Sequence, residues 1–214
     1  MSDLGNANFL TRLIWLALSL SVLISLALGR WSLAFVSLAT LVLSFTPPLL
    51  ANRWSLTLPR PFLLATTLFI VGSIFLGEAF DFYERLWWWD LFLHGFAAIG
   101  FGLFGFLFVF MLFEGDRFAA PPLAIAYISF CVSMMMGASW EIFEYGMDQL
   151  FGLNMQKSGL DDTMGDLMIN FAGAIFASGS GFLYLKGGRG GLVGSAISLF
   201  VQRNARFYRR FRKD

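Results

Sequence analysis

Six apolar runs divide the chain, each close to the length of a bilayer crossing. A helix needs roughly 20 mainly apolar residues to cross the hydrocarbon core. The runs fall at about 13–28, 31–50, 62–76, 90–113, 123–150 and 163–185. Inside lipid a spanning segment must satisfy its own backbone N–H and C=O groups, so single runs of this kind fold as helices. Charged residues make up only 14% of the chain and hydrophobic ones 57%, whereas a soluble domain averages about 25% charged. The expected fold is all-α: a polytopic integral membrane helical bundle of about six transmembrane helices.

The punctuation between runs refines this. Pro47 and Pro48 are expected to kink or stop the second run, because proline removes a helical donor. The run at 13–28 follows Arg12 like a signal-peptide core, but no small-x-small cleavage pattern follows it, so it is read as an uncleaved span. Residues 1–190 are expected to form one transmembrane helical domain, with its motifs in 86–185, and 191–214 a basic amphipathic cytoplasmic tail. There a surface helix at 196–212 sets Phe200 and Val201 among Arg203, Arg206, Arg209 and Arg210, a pattern that lies on anionic lipid. The single Cys131 rules out a disulfide framework. Membrane lipid is the expected partner, and nucleic acid is not.

Lys and Arg set orientation. With six spans and both termini cytoplasmic, only Arg30, Arg85 and Lys157 of the 15 basic residues fall outside. Trp87, Trp88 and Trp89 suit the membrane–water interface. The same outer ends collect Glu78, Asp81, Glu84, Asp90, Glu141, Glu144, Asp148, Asp161, Asp162 and Asp166, together with the one histidine, His94. Acidic residues contribute little to orientation, and ionisable groups in a span are costly. Their gathering therefore calls for a separate cause.

Helical spacing sorts them into stripes. Residues three or four apart share a helix face, so Asp90 and His94 form one stripe, Glu141, Glu144 and Asp148 a second, and Asp162, Asp166 and Asn170 a third. Gly173, Ala177 and Gly181 continue the third, and Ser133 and Gly137 continue the second; small residues at such spacing let membrane helices approach closely. Packed carboxylates resist ionising together, and basic partners are scarce on this side. One divalent cation, Mg²⁺, Mn²⁺, Ca²⁺ or Zn²⁺, would relieve the repulsion with an oxygen-rich donor set and one imidazole. Asp90, His94, Glu141, Glu144, Asp162 and Asp166 are the expected ligands. Glu141, Glu144, Asp166 and His94 are the expected catalytic groups, with Asp148 and Asn170 as further polar members. The plainer expectations are also specific: Asp161 and Asp162 as N-cap and dipole partner of the sixth span, Glu78, Asp81 and Glu84 as a solvated loop, and Trp140 as an interfacial anchor.

Three blocks carry a resemblance: Asp-x-x-x-His at Asp90 to His94, Trp-Glu-x-x-Glu-Tyr at Trp140 to Tyr145, and Asp-Thr-x-x-Asp-x-x-x-Asn-x-x-Gly-Ala at Asp162 to Ala174. In this order they resemble the YjdF-type bacterial inner-membrane proteins and, more distantly, the VanZ-like family. The chain departs from the VanZ pattern, with Glu144 where that pattern has Gln and with no Arg ahead of the last block. The resemblance implies a polytopic helical protein of the bacterial inner (cytoplasmic) membrane with a shared polar site. Three functions compete: a hydrolase or transferase on a lipid or lipid-linked phosphate, a non-enzymatic envelope binding or assembly protein, and an ion- or proton-coupled transporter.

Overall fold

The computed structural model describes residues 7–113, 120–187 and 191–205. Among them run α1 (Phe9–Ala27), α2 (Trp31–Arg53), α3 (Arg60–Ile70), α4 (Phe82–Arg85), α5 (Trp89–Leu112), α6 (Pro122–Phe151), α7 (Leu160–Leu185) and α8 (Leu192–Arg203). α3 continues as a π-helical turn over Val71–Ala79. Among the described residues, six helices are long and apolar enough to cross a membrane: α1, α2, α3 with its π-helical extension, α5, α6 and α7. The all-helical, six-span expectation holds. The described residues gather into two compact units, one of 7–89 with 202–205 and the other of those within 90–201.

In the first unit the helix ends follow capping chemistry more than hydropathy. Asn8 caps α1: its Oδ1 accepts the Thr11 N–H at 2.8 Å and the Thr11 hydroxyl at 2.7 Å. The helix therefore begins ahead of the apolar run and takes Arg12 into its first turns. α2 does not stop at Pro47 and Pro48 but runs through both to Arg53. Within a membrane helix, neighbouring helices and hydroxyl side chains can re-satisfy the carbonyls that a proline frees. α1 and α2 meet through the Ser21 and Ser37 hydroxyls, 2.8 Å apart. Ser37, Thr40 and Thr67 also bond carbonyls one turn back in their own helices. The Trp89 indole N–H donates to the Gly72 carbonyl inside the π-helical turn at 3.2 Å. Glu78, Asp81 and Glu84 are exposed as expected, but they do not form a loop: Glu78 lies in the π-helical turn and Glu84 in α4, with Asp81 between the two. Asn204 closes the unit by bonding both the N–H and the C=O of Thr57, at 2.7 and 3.0 Å.

In the second unit α5, α6 and α7 pack through small residues. A Cβ on Gly102 would fall 2.6 Å from that of Ala177, and one on Gly173 2.8 Å from that of Ala98. A Cβ on Gly181 would collide with the Phe106 ring. Hydroxyls on α6 reach across to α5: Ser129 donates to the Gly102 carbonyl and Ser133 to that of Ala98, each at 2.7 Å. The seam predicted from Ser133, Gly137, Gly173, Ala177 and Gly181 is thus a close interface. α8 begins at Leu192, earlier than the surface helix expected at 196, and Gly194 is buried within it. Arg206, Arg209, Arg210 and Arg212, which carry most of the expected basic tail, lie outside the described residues.

Candidate functional site

The seam brings three helix stripes onto one imidazole. His94, on the second turn of α5, is buried with 7% of its surface exposed. Its Nε2 lies 3.6 Å from Asp90 Oδ1 and 3.9 Å from Asp166 Oδ2. Its Nδ1 lies 3.6 Å from Glu141 Oε1 and 3.3 Å from Asn170 Nδ2. Asp90, His94 and Asp166 each offer a ligand atom within 4.8 Å of the others, and so do His94, Glu141 and Glu144. The ring therefore has an Nε2 side holding Asp90 and Asp166 and an Nδ1 side facing Glu141, with Glu144 grouped beside Glu141.

Burial makes this arrangement demanding. Glu141, Glu144 and Asp166 expose 4%, 6% and 2% of their surface. Both Glu141 oxygens, Glu144 Oε2 and Asp166 Oδ2 are buried and make no hydrogen bond among the described residues. The Thr163 side chain sits beside Glu141, but its oxygen accepts from Gln156 Nε2 at 2.6 Å and does not reach bonding geometry to either Glu141 oxygen. Leaving a buried polar atom unsatisfied costs about 1–3 kcal/mol, more for a charged group. Here four such atoms converge. Asp90 is the more open member, its side chain 22% exposed.

The supporting contacts come from the same helices. Trp140 Nε1 donates to Glu144 Oε1 at 2.9 Å, one helical turn along α6. Trp140 is about half exposed, so the expected anchor also orients a site carboxylate; the four-residue spacing alone could have revealed that pairing. Gly137 leaves room for Asn170, since a Cβ there would fall 2.5 Å from Asn170 Nδ2. The Asn170 amide couples to the histidine tautomer. With its N–H₂ towards Nδ1, the ring keeps a hydrogen on Nε2. With its oxygen there, Nδ1–H is the donor and the Nε2 lone pair is free for a cation. The two amide orientations are nearly indistinguishable by shape.

Two expected members stand apart. Asp148 accepts the backbone N–H groups of Met155 and Gln156 at 2.7 and 2.9 Å; it organises the loop between α6 and α7. Asp162 sits at the rim, within electrostatic reach of Asp90, Glu141 and Asp166, outside the two ligand groups around His94. Asp161 is not the cap of α7. Gly159 takes that place at φ 68°, and both Asp161 and Asp162 lie in the first turn, where the helix dipole favours acids. The sequence reading placed no role on Lys157. Its ammonium nitrogen is buried and within electrostatic reach of Asp90 and Asp162.

Comparison with known proteins places the chain. The model of a family described as "Predicted membrane protein (DUF2238)" matches residues 9–187, and the chain belongs to that family. A Thermotoga maritima protein described as an uncharacterized protein is 30% identical over 112 residues, which are 50% of this chain and 57% of the relative. The match thus spans little more than half the length of that relative. No solved structure matches the chain.

Proposed function

Within that membrane-protein family, we propose that this chain holds one divalent cation at His94 Nε2, Asp90 and Asp166, with Glu141 and Glu144 on the far side of the ring. The convergence of buried, unbonded carboxylate oxygens on a single imidazole carries this reading. Ligands bound at about 2.0–2.2 Å stand a little over 3 Å apart, and separations of 3.6 and 3.9 Å need only small side-chain shifts to reach that. The second ring nitrogen of a metal-bound histidine is commonly held by a carboxylate or carbonyl, the place Glu141 and Asn170 occupy here.

The cation would polarise a phosphoryl or ester oxygen or activate a water. Glu144, held at one oxygen by Trp140, or Glu141 would then take the proton as general base. The substrate class this supports is the polar head of a lipid or a lipid-linked phosphate, and the reaction hydrolysis or transfer. Transport is less well supported: beyond the ends that carry the cluster, α5, α6 and α7 hold no acidic or basic side chain. The YjdF-type motifs accord with this reading; the VanZ-like kinship rests on the motifs alone. A bacterial inner membrane is what the YjdF-type resemblance implies, and the distribution of Lys and Arg supports placing the site at its outer face. Reporter fusions within 152–162 and after Lys186 should read exterior and cytoplasm, and the reverse would move the site to the inner face.

The cation itself is tested by metal content and thermal stability of the purified protein, with and without chelator. A bound ion at 100 times its dissociation constant stabilises by about 2.7 kcal/mol, so chelation should lower the melting temperature. Glu141→Gln keeps the shape and removes a charge; it should lower metal content and shrink the chelator effect. A wild type that carries no metal and ignores both chelator and added cations would leave the carboxylates structural, as an envelope assembly protein would need.

A further inference from the structure

We propose that His94 serves two alternative positions for one divalent cation, one at each ring nitrogen, and that Glu141 and Glu144 with Nδ1 form the second. The inference deepens the cation reading above and rests on it.

The donors on the Nδ1 side are as complete as those on the Nε2 side. Glu141 is buried, and neither of its oxygens makes a hydrogen bond among the described residues. Its Oε1 lies 3.6 Å from Nδ1. Glu144 is held at Oε1 by the Trp140 indole, which leaves its buried Oε2 without a hydrogen bond among the described residues. One ligand atom each from His94, Glu141 and Glu144 lie within 4.8 Å of one another. The Asn170 amide reaches the same nitrogen at 3.3 Å. Turned about, it presents a carbonyl oxygen there, a further donor of the kind that hard divalent ions take.

A neutral imidazole has one N–H and one acceptor nitrogen, so it ligates one cation at a time. A cation on Nε2 leaves the hydrogen on Nδ1, where it faces Glu141 Oε1. A cation on Nδ1 leaves the hydrogen on Nε2, where it faces Asp90 Oδ1 and Asp166 Oδ2. Either way both ring nitrogens have a partner, and the carboxylates without the ion face the ring N–H. The two positions differ in access. The Asp90 side chain is 22% exposed and that of Glu141 5%. The Nε2 position therefore meets an arriving ion first, and the Nδ1 position is the more enclosed. In passing from one to the other, the ion and the ring hydrogen exchange sides.

The chain has a single histidine, so labelling histidine with ¹⁵N gives just two ring signals. ¹¹³Cd²⁺ added to the full chain in detergent splits the signal of the nitrogen it binds, while the other nitrogen keeps its hydrogen. In wild type the split signal should be Nε2. In Asp166→Asn it should move to Nδ1, and in Asp166→Asn with Glu141→Gln it should vanish. If wild type splits at Nε2 and Asp166→Asn, folded, shows no splitting, this inference falls and the cation reading stands. A double variant that still splits at Nδ1 also overturns it. If wild type splits at Nδ1, the second position holds and the assignment of the ion to Nε2 falls. If cadmium splits neither signal in any of the proteins, both readings fall. Should Asp166→Asn not fold, Asp90→Asn, at the more open ligand, replaces it with the same expectations. Wild type alone tests exclusivity: both signals split at once in one molecule, at saturating cadmium, would overturn the proposal.

Discussion

The two units bury polar groups in opposite ways. In the first, Ser37, Thr40 and Thr67 are buried hydroxyls that spend their hydrogens on carbonyls one turn back in the same helix. Ser21 and Ser37 also meet between α1 and α2, but these three hydroxyls donate within their own helices. In the second, Ser129 and Ser133 donate across to another helix, and several oxygens of the buried carboxylates find no donor among the described residues. A helix that satisfies itself can shift against its neighbours at little cost. One that is satisfied by its neighbours is fixed in register, which a site assembled from three helices requires.

The sharpest way to break this contrast is to remove its centre. His94→Ala deletes the one group that faces carboxylates on both sides. Cation affinity should fall by more than the 10–100-fold typical of losing an outer-shell partner, read by calorimetry in detergent. Adding Glu141→Gln should cost far less than the two single losses combined, because groups that share one ion are not independent. Full additivity would mean that the two residues do separate jobs.

Next in size is a pair of glycines, one from each unit. Gly137→Ala drives a Cβ to 2.5 Å from Asn170 Nδ2; overpacking of this kind costs about 1–3 kcal/mol. It should lower both the melting temperature and the cation affinity, since Asn170 must move from His94. Gly77→Ala presses on the Tyr83 ring in the first unit and should lower stability alone. A drop in cation affinity in Gly77→Ala would dissolve the distinction between the units.

What could be read in advance follows the same division. The stripes Asp90–His94, Glu141–Glu144 and Asp166–Asn170 were legible because helix periodicity fixes which residues share a face, and the glycine seam beside them fixed which faces meet. Backbone chemistry hid the rest. Asp161 looked like a cap because acidic residues favour that position, yet the turn needed positive φ and Gly159 took the place. Asp148 sits on the stripe of Glu144, but the α6 helix ends just beyond it and its carboxylate turns to the loop's N–H groups. Pro47 and Pro48 looked like a kink or a stop under rules drawn from water-exposed helices, yet the helix runs through both, and the π-helical turn at Val71–Ala79 left no mark in the hydropathy.

The smallest effect separates the units most cleanly, because it concerns one hydroxyl in each. Ser133 and Thr40 both donate a 2.7 Å bond to a carbonyl and are both buried. Ser133 reaches Ala98 on α5, whereas Thr40 reaches Val36 on its own helix. Thr40→Val keeps the shape and deletes the hydroxyl. The Val36 carbonyl keeps its place in the helical ladder, and bonding of this kind adds little or slightly destabilises a helix, so stability should stay within about 0.5 kcal/mol of wild type. Ser133→Ala deletes a bond between helices, worth about 0.6 kcal/mol on average in a membrane protein and at most about 1.7. It also loosens α6 against α5 two turns below Glu141, so it should weaken cation binding slightly where Thr40→Val does not. Unfolding in denaturing detergent, with cation titrations on the same samples, measures both. Equal losses from the two variants, or a loss of cation affinity in Thr40→Val, would show that burial alone sets the cost and that the direction of the bond is immaterial.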